Sequence, residues 1–165
     1  MAREIASILK ESPLLADFPP AALRRLAPAA EIKSFDAGKT IFREGQTSDE
    51  VYVVRDGRVS LEVCAPGVGC RRILSVGPGE LLGWSPILES DQPLTATART
   101  IEPSELLALH ATALRAIFEE HPELGYRFLQ QLSRAIARRL TATRMQLLNL
   151  YGEEMAATGK PDEGE

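Results

Sequence analysis

Residues 51–63 read VYVVRDGRVSLEV, and this stretch decides the fold. Its first four residues are β-branched or aromatic, and after Asp56-Gly57 the apolar Val59, Leu61 and Val63 alternate with Arg58, Ser60 and Glu62. A period of two marks a strand with one buried face, and Asp-Gly supplies the positive φ angles of a tight hairpin turn. The spacing therefore predicts two strands joined as a hairpin at Gly57.

Working outward, the chain from Glu31 to Leu109 breaks into similar short runs between glycine-bearing turns, as in an all-β sandwich or barrel. On both sides the period changes to that of a helix. Ile5, Ile8 and Leu9 line one helical face, and a second short helix is expected from Pro20 to Leu26 with Leu23 and Leu26 inward. Leu114, Ile117 and Phe118 predict a short helix ending near His121. Pro122 then suits the first position of a long helix running to about Tyr151, with Gly152 as its C-terminal cap. At ~1.5 Å per residue that helix reaches roughly 45 Å and overhangs a small β-domain.

Leu129, Leu132, Ile136, Leu140, Thr143, Leu147 and Leu150 recur along it at intervals of three and four. Such a stripe needs a partner helix, and its twin in a second copy is the simplest one. The expected organisation is one domain over residues 1–152, with the barrel at about 29–110, the C-terminal helices at 111–151 and a flexible tail at 153–165.

Composition excludes several classes. The 165 residues, 44% hydrophobic and 25% charged, suit one globular domain, and a net charge of −4 argues against a nucleic-acid protein. The opening MAREIASILKES lacks the apolar core of a secretory signal, and no run approaches the ~20 apolar residues of a membrane helix. A cytoplasmic protein with no membrane partner is expected. Cys64 and Cys70 flank a Pro-Gly turn without zinc-ligand spacing, and are expected as reduced thiols near a hairpin tip. His110 and His121 have no nucleophile or carboxylate pair at a recognisable spacing, so no catalytic residue, metal site or cofactor is expected. From Glu123 through Arg144 there are five arginines; of these Arg134, Arg138 and Arg139 read as a solvent face.

The stretch GPGELLGWSPILESDQPLTATAR, residues 77–99, has the small residues of a backbone cradle for an anion, yet no basic side chain between Glu80 and Arg99. Together with DAGKTIFREG (36–45), the glycine in VVRDGRVSL and GPGELLG (77–83), it resembles the cyclic nucleotide-binding domain of the catabolite activator type, over roughly residues 14–151. The resemblance implies a mainly β fold with flanking helices: a double-stranded β-helix, or jelly-roll barrel, of about eight strands, short N-terminal helices and a long C-terminal dimer helix. It also implies a ligand pocket at Gly83, Trp84, Ser85, Leu94, Thr95 and Ala96. In the family pattern a glutamate holds the ribose and an arginine clamps the cyclic phosphate; those positions are Trp84 and Leu94 here, while Gly83, Thr95 and Ala96 keep the pattern. QLSRAIARRLTATRMQLLNL resembles the family's dimer helix, and its purine-contacting hydroxyl pair falls on Thr143 and Arg144. Where those transcription factors continue into a helix-turn-helix domain, this sequence stops, so no DNA partner is expected.

Trp84 has two readings, a ring that plugs the pocket or one that walls an altered pocket against a flat or apolar ligand. Arg144 is the candidate substitute for the missing arginine. The expected function is a non-catalytic regulatory or sensor module, a homodimer through its C-terminal helix, with impaired or altered cyclic-nucleotide binding and a protein partner downstream. The alternatives are a genuine cyclic AMP or cyclic GMP regulator using Thr95, Thr143 and Arg144, or a ligand-free scaffold dimer for another protein.

Overall fold

The computed structural model describes residues 2–158. It opens with α1 (Ala2–Glu11), α2 (Pro20–Leu26) and one 3-10 turn over Ala27–Ala29. Eight strands follow: β1 (Ala30–Phe35), β2 (Thr40–Phe42), β3 (Glu50–Asp56), β4 (Val59–Ala65), β5 (Gly69–Val76), β6 (Leu81–Leu82), β7 (Thr97–Thr100) and β8 (Ser104–His110). A single-turn helix, α3 (Ser85–Leu88), interrupts them, and α4 (Ala111–Glu120) and α5 (Pro122–Thr158) close the chain. The expected short helix at Pro20 forms with those bounds, its proline at the start and Leu23 and Leu26 buried.

The strands form two antiparallel sheets of four, ordered β1-β8-β3-β6 and β2-β7-β4-β5. This arrangement corrects the expected hairpin. β3 pairs with β6 and β8, whereas β4 pairs with β5 and β7, so Asp56-Gly57 carries the chain from one sheet to the other. Gly57 has φ +88°, and a Cβ there would collide with Ser104 and lie 2.6 Å from the Pro103 carbonyl oxygen. The turn chemistry is as read; what it joins is a corner. β4 also departs from simple alternation, because a register shift between Leu61 and Glu62 leaves Ser60 buried and Val63 exposed.

β3 divides two cores. Val51 and Val53 pack toward the helices with Leu9, Leu26, Leu109 and Phe128, while Tyr52 and Val54 point into the barrel with Phe42, Leu61, Leu82 and Leu106. This explains its unbroken apolar run: both faces of the strand are covered.

Two further corrections concern the chain ends and the cysteines. α5 passes through Gly152 to Thr158, so Gly152 is not its cap, and the expected tail begins inside the helix; residues 159–165 of that tail lie outside the described residues. A single helical glycine costs only about 1 kcal/mol, and the EEMAAT that follows is rich in helix formers. Cys64 and Cys70 are opposed in the β4–β5 register, with Cα atoms 4.0 Å apart, and are joined by a disulfide. The hairpin brings them together, which their spacing alone does not reveal. No helix among the described residues is long and apolar enough to cross a membrane.

Candidate functional site

The site is assembled where β6 ends. Gly83 adopts φ +70°, and a Cβ on it would stand 3.1 Å from Phe42 Cε1 and 3.5 Å from Tyr52 Cδ2. Only glycine lets the backbone cross the stacked Phe42–Tyr52 rings, whose centroids are 5.9 Å apart, at the sharp turn required. The next residues deliver Trp84 to the barrel mouth, and its carbonyl accepts the Ile87 amide at 2.9 Å to open α3. Ser85, the first residue of that turn, is buried.

On the opposite wall Leu94 is 3% exposed and belongs to the barrel core. Its amide donates to the Gln46 carbonyl at 2.8 Å and its carbonyl accepts from Gly45 N–H at 2.7 Å. The position implied for a phosphate-clamping arginine is therefore a core leucine anchored by its backbone. Thr95 beside it is exposed and Ala96 half-buried. The structure thus brings Gly83, Trp84, Ser85, Leu94, Thr95 and Ala96 to one place.

It does not bring the two helix residues there. Thr143 Oγ1 donates to the Arg139 carbonyl one turn back, at 2.8 Å, and Arg144 is exposed without lining the pocket. The cation present is Arg139. Its guanidinium lies over the Trp84 indole, with Cζ 3.9 Å from the ring centroid, and donates to the Leu81 carbonyl. Burial lowers its pKa to about 10, with nearby Glu80 opposing and Arg138 adding to the fall, so it stays charged at neutral pH.

Arg139 was expected on a solvent face. What identifies it is its row: Gln131, Ala135, Arg139, Ala142 and Gln146 recur at intervals of three and four, and Gln146 donates to the Ile73 carbonyl of β5. Small residues at 135 and 142 let this row approach the barrel.

Phe42, Leu61, Trp84, Leu94 and Arg139 leave a space of only ≈ 20 Å³ between them. That admits about one water molecule, against the roughly 300–1,000 Å³ of ordinary ligand pockets. Trp84 packs against the helix-side core while bordering this small space. Among the described residues no group of three or more His, Cys, Asp and Glu side chains is arranged to hold a metal ion.

Comparison with known proteins agrees with this architecture. The family model described as cyclic nucleotide-binding domain matches residues 32–121. A CRP-like cAMP-activated global transcriptional regulator of Mycobacterium tuberculosis is 30% identical over 144 residues, covering 87% of this chain and 62% of that protein. The chain therefore spans less than two thirds of that relative's length. The crystal structure of Thermus thermophilus catabolite activator protein superposes with a TM-score of 0.64 at 29% identity, over 87% of this chain and 65% of that one. A cyclic nucleotide-binding-like protein from Brucella abortus matches at 30% identity and a TM-score of 0.58, covering 70% of this chain and 98% of its own.

Proposed function

This chain belongs to the cyclic nucleotide-binding domain family, and from that premise we propose that it is a non-catalytic, cytoplasmic regulatory dimer whose ordinary nucleotide pocket is closed. The observation that carries the reading is the ≈ 20 Å³ left behind the Trp84–Arg139 stack. A cyclic nucleotide would have to expel the indole and would meet Leu94 where the family pattern supplies an arginine. A hydrogen bond to a charged group is worth about 1.5–3 kcal/mol, so that exchange alone weakens phosphate binding by one to two orders of magnitude.

Calorimetry with cyclic AMP and cyclic GMP tests this. Affinity weaker than ~10 μM, or none, is expected; sub-micromolar binding refutes the closed pocket.

A second reading rests on Arg139 itself, a charged group already at the pocket. If Trp84 swings out, Arg139 could meet a cyclic phosphate in place of Leu94, and the protein would be a cyclic-nucleotide regulator with a rearranged clamp. The same titration separates the two, since in the second case binding is tight and is lost in Arg139→Met.

Dimerisation draws support from α5, where Leu129, Leu140, Leu147 and Leu150 are 44–60% exposed. An apolar stripe left in water on one chain is the surface a second copy would cover. Ligand or partner binding at the barrel would then act by changing how α5 is held, since Arg139 links the two.

A further inference from the structure

A second concavity lies on the other side of Arg139. It is a groove of ≈ 790 Å³ between α5 and the segment from Leu74 to Leu81, within the size range of small-molecule sites. Its floor is apolar, built from Leu14, Leu74, Leu81, Ala135 and Ala142. Its rim carries Arg134, Arg138 and Arg139, faced by one acid, Glu80, whose Oε2 already accepts the Gly77 amide at 2.8 Å.

Neither Arg134 nor Arg138 has an ion-pair or hydrogen-bond partner among the described residues. They stand four apart on one helix, a spacing at which like charges repel, and Arg138 also disfavours the charge on Arg139. Three guanidinium groups around an apolar floor share one carboxylate, Glu80.

The groove is not the dimer face. Ile136 and Leu140 each lie two residues beyond Arg134 and Arg138, which is about 200° around a helix with 3.6 residues per turn. A second copy seated on the leucine stripe leaves these arginines uncovered. Nor is it the enclosed space beside Leu94, with which it shares only Arg139.

We propose that this groove binds a soluble small molecule with an apolar body and one anionic head, a carboxylate or phosphate monoester, the body lying along Leu74, Leu81 and Ala135 and the head between Arg134 and Arg138. The site stands independently of whether the enclosed pocket accepts a cyclic nucleotide.

Trp84 is the single tryptophan and stacks on Arg139, so its fluorescence reports on the groove. The full chain is titrated with laurate and with dodecyl phosphate below their micelle concentrations, with dodecyltrimethylammonium as the cationic match. Saturable binding of both anions, at least tenfold tighter than the cation, is expected. The exposed pair Arg134→Ala and Arg138→Ala should weaken it at least tenfold with thermal stability unchanged, and Ala135→Phe should block it with the charges intact. Equal binding of the cationic amphiphile, unaltered affinity in either variant, or binding to phosphatidylglycerol vesicles without binding of monomeric laurate would each overturn the assignment.

Discussion

The Arg139 guanidinium rests on the Trp84 indole, Cζ to centroid 3.9 Å, where the family pattern would set a glutamate. A cation on an indole face is worth about 0.5–2 kcal/mol, and the ring is rigid enough to hold the long side chain in place. Trp84 thus supplies attraction to Arg139 without charge.

The pocket should reopen when the acid returns. Trp84→Glu gives Arg139 a carboxylate partner, and Leu94→Arg restores a phosphate cation on the opposite wall. The double variant is expected to bind cyclic AMP at least tenfold more tightly than the parent chain by calorimetry. Its folded state should lose about 2–4 kcal/mol in urea titrations, because an indole and a core leucine are both exchanged for charge. Unchanged affinity in a folded double variant would show that something other than these two residues closes the site.

Acid should unpick a network on β3. Glu50 accepts Lys33 Nζ and the Tyr52 hydroxyl, each at 2.6 Å. Burial pushes its carboxyl pKa up, but the hydrogen bonds from Lys33 and Tyr52 outweigh that and hold it below the ordinary 4.5. A lowered folded pKa means stability present above pH ~4.5 and lost as pH falls below it, through the folded value. Because the group is partly solvated, screening keeps that loss small. Glu50→Gln should start less stable at pH 7 and show a flatter decline to pH 3; parallel curves for the two proteins would remove Glu50 from the account.

How much of this was legible depends on what each signal encodes. The proline that starts α2 and the alternation in β4 are local, and they appear as read apart from the bulge. Asp56-Gly57 announces a turn but not a partner, since which sheet the next strand joins is decided by packing across the barrel. By residue type Arg139 reads as solvent charge, whereas Ala135 and Ala142 mark its helical row as the one facing the barrel. The family resemblance names Gly83, Trp84 and Leu94, which the fold brings together, and Thr143 and Arg144, which do not line the space between them. Leu132 shows the same limit. Its spacing fits the dimer stripe, yet it is 1% exposed and fills the core between α5 and its own domain.

Reduction of Cys64–Cys70 should loosen the tip of the β4–β5 hairpin and little else. Residues 64–70 are all exposed, and both cores lie away from them. Closing so short a loop restricts the unfolded chain by about 2 kcal/mol. A reducing agent should therefore lower the urea midpoint modestly, leave the fluorescence of the distant Trp84 unchanged and speed amide exchange at Ala65–Val68. Thiol alkylation without reductant, followed by mass measurement, checks that the bond is present.

Leucines at 140 and 147 are the decisive test of assembly. Each is about half exposed or more on the single chain, and neither belongs to a core. They are seven residues apart, the repeat at which two helices can wind together with their apolar seams in contact. An aspartate at position 140 would bury an unpaired charge in such a seam, at a cost of several kcal/mol, yet would sit in water on an isolated chain. Leu140→Asp should then sediment as a monomer with its domain melting intact once the concentration dependence of the parent is allowed for. The neighbouring exposed Arg144→Ala, which removes a charge without adding one, should leave assembly in place. A Leu140→Asp protein that remains dimeric would move the interface off this stripe, and α5 would need another reason to carry leucines in water.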